Sequence, residues 1–279
     1  MRASKWPSKL CLIMILALLL GFLSPAPLAL NVASAAHLVS VQDDELPDKR
    51  ADVKEWLSTL KALIGKRGDE DPAAIVLIEK LVVEFQGSGE KDRASIAKGV
   101  ASCLSQRRKD LSKGVPDNGL KLATAKALGS MGPESTGALS KWVNDKKVRD
   151  NIELQRQLVL SLGATKDKSA TKTLADLLKY RNPTIVAAAA EALCQFEKIE
   201  LKERKKLFEE ILKTLMSAKG KVDADPTDNI AREEWNVVSA PLMTSLTVLS
   251  GHKDAKKPEE WQRFWNKNKK KKSWGDEAG

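Results

Sequence analysis

His37 and His252 are the two imidazoles in this 279-residue chain, so any histidine-based proton transfer or metal binding would have to use one of them. His252 and Asp254 could share a proton, but no Gly-x-Ser-x-Gly turn accompanies either histidine to supply a nucleophile. Zinc spacings such as Cys-x-x-Cys and His-x-x-x-His are absent, as are the Asp-rich loop that holds calcium and the glycine loops that cradle phosphate. The carboxylate pairs Glu209-Glu210, Glu233-Glu234 and Glu259-Glu260 are adjacent in sequence. On a helix, adjacent side chains point about 100° apart, so none of these pairs aims at one reacting atom. The expectation is no catalytic residue, no metal ligand and no cofactor.

Cations are the more promising chemistry. Lys146, Lys147 and Arg149 fall in one polar turn, Lys179 and Arg181 in another, and Lys267 precedes the unbroken run Lys269, Lys270, Lys271 and Lys272. Clusters of this kind attract phosphate, an anionic lipid surface or an acidic protein face. These turn cations and the four-lysine run are the candidate partner-binding residues. For Arg149 a hydrogen bond to a neighbouring turn is the preferred reading over contact with a ligand. The cysteines offer less: Cys103 and Cys194 sit on apolar helical stripes several segments apart, beyond disulfide reach, and read as two free, buried thiols.

Residues 1–35 read as an address rather than as part of the fold. Arg2, Lys5 and Lys9 precede the apolar run Leu10 to Leu23, and Ala33-Ser34-Ala35 supplies the small-x-small pattern that signal peptidase reads. The run holds 14 residues, short of the roughly 20 a membrane span requires, so a cleaved signal and no retained span are expected. The mature chain from Ala36 would carry 44 basic and 37 acidic side chains, a net of +7. Its location would be exported, either periplasmic or secreted.

The cations must be positioned by helices, because helical periodicity runs through nearly all of the remainder. After a leader at 36–49, expected to be disordered, Val53, Trp56, Leu57, Leu60, Leu63 and Ile64 keep the i, i+3, i+4, i+7 spacing of one buried stripe, and Gly65 stops it. Asp71 reads as an N-cap with Pro72 at the first helical position. Ile75, Ile78, Leu81, Val82 and Phe85 make the next stripe, and Ile96, Val100, Cys103 and Leu104 a third. Gly132-Pro133 and Asn182-Pro183 mark further helix starts. Leu207, Phe208, Ile211, Leu212 and Leu215 form a strong amphipathic stripe, followed by an expected long loop at 219–229 around Gly220 and Pro226. Trp261, Phe264 and Trp265 lie on a short last helix and would seal the end, and residues 269–279 read as a basic, disordered tail. No strand pattern competes.

The helices repeat. Ala125-Lys126-Ala127-Leu128 returns as Ala190-Glu191-Ala192-Leu193, 65 residues later, and Val148 precedes Ile185 by 37. Two units of roughly 30–37 residues fit the larger gap, the period of a helical solenoid. On Asp145 with Val148-Arg149, Ala125-x-Ala127-Leu128-Gly129, Leu162-Gly163 and Asn182-Pro183 with Ile185-Val186, the chain resembles the bacterial HEAT-like repeat proteins. The likeness is clearest over 120–197 and extends over 50–268. It departs from the family pattern at Val186, where a basic residue would continue the ladder begun by Arg149.

That resemblance implies an all-α fold, a right-handed α-solenoid of about five stacked antiparallel helix pairs. It also implies a non-catalytic exported scaffold that binds a protein partner through the surface of the stack. Two alternatives follow: a polyanion or envelope-surface binder working through the C-terminal lysines, and a lyase like the HEAT-like enzymes that attach bilins. Some HEAT-like proteins grip DNA with basic, tryptophan-bearing faces. Here the tryptophans fall mostly on apolar stripes and the chain carries an export signal, so nucleic acid is disfavoured as a partner.

Overall fold

The computed structural model describes residues Leu46–Trp274. The proposed signal segment, most of the leader and residues 275–279 lie outside that range. Among the described residues there are eleven α-helices and no named strand. They are α1 (Ala51–Ile64), α2 (Asp71–Gln86), α3 (Glu90–Ala101), α4 (Gly119–Ser130), α5 (Pro133–Val143), α6 (Ile152–Ala164), α7 (Ala170–Leu177), α8 (Pro183–Leu193), α9 (Leu201–Ala224), α10 (Asn229–Ser250) and α11 (Pro258–Asn268).

Packing alternates. Each helix from α1 to α7, and α9, packs on the next in sequence, and each from α1 to α9 packs on the next but one. The even-numbered helices α2, α4, α6, α8 and α10 contact one another in series, the odd-numbered α1 to α9 do the same, and α11 closes against α9. One continuous apolar core lies between the two rows, from Val53 and Leu60 to Leu249 and Trp261.

The repeated word explains how close the even row lies. Ala125 and Ala127 on α4, Ser161 and Gly163 on α6, and Ala190 and Ala192 on α8 are small and buried. A Cβ built on Gly163 would stand 2.6 Å from the Cβ of Ala192 and 2.8 Å from its Cα. Only a bare hydrogen fits between α6 and α8 at that point. At Gly129 the nearest atom of Ser161 is 3.0 Å away, a slightly looser approach of α4 to α6. Gly163→Ala should therefore cost about 1–3 kcal/mol of overpacking. Gly137→Ala, on the exposed side of α5 with nothing within 4 Å of the added methyl, should gain up to about 1 kcal/mol from helix propensity. Urea denaturation compares the two, and a Gly163→Ala protein at least as stable as Gly137→Ala would contradict the close approach.

Helix ends follow local chemistry. Pro133, Pro183 and Pro258 open α5, α8 and α11 where a missing N–H costs nothing. Gly132 takes φ 72°, a turn that glycine enters without strain. Asn182 accepts from Thr184 N at 2.9 Å, and Asp228 accepts from Ile230 N at 2.8 Å and Ala231 N at 3.1 Å.

Several expectations require correction. Asp71 is the first residue of α2, and its carboxylate does not cap that helix; it holds Arg108 instead. The expected long loop at 219–229 is mostly helix, since α9 runs through Ala224 and only Asp225–Asp228 separate it from α10. Ala218 is buried, Lys219 pairs with Asp223 one turn on, and Lys221 Nζ lies 2.8 Å from Glu234 Oε1 of α10. These contacts carry the helix past Gly220.

The end of the leader is also engaged. Asp48 Oδ1 accepts from Lys91 N at 2.9 Å and Asp92 N at 3.1 Å, capping α3 from more than forty residues upstream. The N-cap position itself is Gly89, which has no side chain to do so. Arg50 then reaches Asp52 at 2.7 Å and Glu84 at 2.9 Å, and these carboxylates push its guanidinium pKa up.

Candidate functional site

The turn cations are exposed. Lys146, Lys147 and Arg149 lie between α5 and α6, and Lys179 and Arg181 between α7 and α8. Lys179 has a structural partner: its Nζ is 2.8 Å from Glu210 Oε2 on α9. That ammonium, helped by Lys213, holds the Glu210 carboxyl below its ordinary range. Arg149 makes no hydrogen bond among the described residues, so the expected link from it to a neighbouring turn is replaced. The connection is made by Asn118 and Asn151, whose amides exchange hydrogen bonds at 3.1 and 2.6 Å, while Asn118 Nδ2 also donates to Glu153 at 3.0 Å. Asn118, Asn151 and Asn182 stand at the starts of α4, α6 and α8, a recurrence the sequence contained and the Arg pattern obscured.

The C-terminal lysines are the larger surprise. The described part of the expected disordered tail, Lys269–Trp274, is folded against α9 and α11. Trp274 is buried and donates from Nε1 to Asn268 O at 3.1 Å. Its ring meets Phe208 edge-on at 5.1 Å and lies 6.0 Å from Trp265. Lys205 of α9 donates to the carbonyls of Lys269, at 3.1 Å, and Lys271, and its Nζ sits 5.5 Å from the Trp274 ring centre. The lysine run is thus held by its backbone, which leaves its side chains free.

Two of them, Lys269 and Lys270, line an open groove of about 450 Å³ between α9 and α11 together with Lys202, Lys205, Lys206, Glu209 and Trp265. From Lys253 to Trp274 there are nine Lys or Arg and three Asp or Glu, a net of +6. Local acids answer part of the charge on α9. Lys206 pairs with Glu203 at 3.1 Å and holds that carboxyl below its usual range, while Glu209 faces Lys213 at 3.2 Å. Lys202, Lys269 and Lys270 have no acidic partner among the described residues.

The remaining reactive groups serve the fold. His252 stacks on Phe264 at 4.6 Å and meets Trp261 edge-on at 5.7 Å, with no hydrogen bond to Asp254 among the described residues. Cys103 and Cys194 are free. Burial pushes the Cys103 thiol up to about 11, and burial raises Cys194 as well, so neither is a thiolate near neutral pH. Among the described residues, no cluster of three or more His, Cys, Asp or Glu could hold a metal ion, and no helix is long and apolar enough to cross a membrane.

A second surface feature was absent from the sequence reading. Val76 and Val83 on α2 are 65% and 75% exposed, and Ile230 and Val237 on α10 are 78% and 40% exposed. Each pair is seven residues apart, so its members share one helix face, away from the buried stripe. Comparison of the chain with family models, curated proteins and solved structures returns no match.

Proposed function

We propose that the protein is a non-catalytic, HEAT-like α-solenoid, exported to the periplasm or beyond, that binds a protein partner on the exposed face of its even-numbered helices. The alternating contacts, even with even and odd with odd, are those expected of antiparallel helix pairs stacked in register. The Ala125–Leu128 and Ala190–Leu193 words lie on α4 and α8, on either side of α6, which is the arrangement a repeat predicts. The small-residue contacts along α4, α6 and α8 hold these helices close, so a surface built on them is ordered before a partner arrives.

The observation that carries the reading is the pair of valines on α2. Two β-branched apolar side chains one heptad apart, both well exposed, do nothing for this chain's own core. Apolar side chains of that kind gain free energy when a partner covers them. Affinity capture from an envelope fraction tests it, comparing the native chain with Val76→Asp/Val83→Asp. The double variant should lose at least about tenfold in retention of a specific protein at high salt. Its stability should stay within about 0.5 kcal/mol, as exposed substitutions do. Retention untouched by this pair and by Ile230→Asp/Val237→Asp would place the partner elsewhere.

A further inference from the structure

We propose that the groove between α9 and α11 binds linear polyphosphate, a chain of phosphate units without bases, recognised by the charge of its backbone. This site is separate from the helix face assigned to a protein partner, and neither depends on the other. Five lysines, Lys202, Lys205, Lys206, Lys269 and Lys270, line a hollow of about 450 Å³ with one acidic residue, Glu209. The Lys205 ammonium bonds backbone carbonyls and that of Lys206 pairs with Glu203, which leaves Lys202, Lys269 and Lys270 without an acidic partner among the described residues. The Glu209 carboxylate already faces Lys213. Like charges gathered this closely repel one another, and a ligand that brings several anions at once relieves the repulsion.

The groove is preorganised. Trp265, stacked on Phe208 at 5.4 Å, forms one wall. The opposite arm is pinned at its far end by the buried Trp274 and at its backbone by Lys205. A ligand therefore meets charges whose supporting backbone is already ordered.

Three features select the ligand class. The cations are lysines, point charges suited to phosphate oxygens, with no guanidinium fork in the groove to read a planar edge. The lysines converge on one shallow depression walled by Trp265 rather than spreading over a broad face, which favours a narrow chain over a bilayer. A phosphate polymer carries an anion on every unit of its backbone, whereas an acidic peptide must first order the side chains that carry its charge.

The test uses the full chain and inorganic polyphosphate, with binding followed by calorimetry at three salt concentrations. The variant Lys202→Gln/Lys269→Gln/Lys270→Gln removes three exposed charges from the groove. Lys54→Gln/Lys61→Gln/Lys126→Gln removes three exposed charges from α1 and α4, and thermal melting checks that both fold. Binding to the native chain should weaken steeply with salt. The groove variant should bind at least about tenfold more weakly and show a salt slope shallower by about 2, while the control changes less than about twofold. Three results would overturn the proposal: no binding at low salt, equal losses in the two variants, or tighter binding to anionic phospholipid vesicles or single-stranded DNA of equal phosphate content.

Discussion

Replacing Arg108 with alanine should destabilise the protein by about 3–5 kcal/mol, the cost of removing one partner of a buried ion pair. The guanidinium lies in the stretch between α3 and α4, yet only 3% of its side chain is exposed, against 11% for Asp71. It donates through Nε to Asp71 Oδ2 at 2.6 Å and through Nη2 to Asp71 Oδ1 at 2.7 Å, a two-pronged geometry. Nη2 also reaches Ile64 O at 3.2 Å, one of the last carbonyls of α1. One side chain thus satisfies the end of α1 and the start of α2, and the Asp71 carboxylate in turn raises the Arg108 pKa. Truncation leaves that carboxylate buried without a counter-charge. Urea denaturation of Arg108→Ala measures the loss. Arg108→Met/Asp71→Asn, which buries no lone charge, should recover a large part of it. A loss below about 1 kcal/mol for the single variant would mean that water satisfies Asp71 and that the pair contributes little.

The second large effect is expected at Trp274. Removing a buried aromatic side chain costs about 3–5 kcal/mol, and this ring contacts Phe208, Phe264 and Trp265 at centroid distances of 5.1 to 6.0 Å. At about 2–4 °C per kcal/mol for a chain of this size, Trp274→Ala should lower the melting temperature by roughly 6–20 °C. It should also flatten the near-ultraviolet dichroism of the aromatic cluster. The loss has a further signature, because the same ring pins the arm that carries Lys269 to Lys272. Anion binding at the groove should weaken even in protein that remains folded at the assay temperature. An unchanged melting temperature would mean that the arm is frayed in solution.

Much of the helical architecture was legible because burial imposes periodicity. Val53, Leu60 and Ile64 are buried, with Trp56, Leu57 and Leu63 packed at their margin, and Gly65 follows α1 as read. The helix starts at Gly132-Pro133 and Asn182-Pro183 were equally local, and local signals survive in a single sequence. What was missed depends on distant residues. Arg108 sits between Arg107 and Lys109, and nothing in that run says which cation is buried. Asp48 caps a helix beyond two others, so its partner could not be found by spacing. The second half of α9 has a loop-like composition and is held as helix by Glu234 of the following helix. The groove combines residues from α9 with residues more than sixty positions later. The lysine run was visible as charge; its ordered backbone was not, since that rests on Trp274 finding Phe208.

The alternation of contacts bears on how such a chain comes together and comes apart. No helix depends strongly on another more than two places away, so the spans of chain that must loop back are short and closure costs little entropy. On the proposed stack, assembly can begin at any packed pair and spread in both directions, at the rapid rates typical of topologies rich in nearby contacts. On the proposed stack of helix pairs, tension applied at the termini would peel helices from the extremities inward while the middle holds.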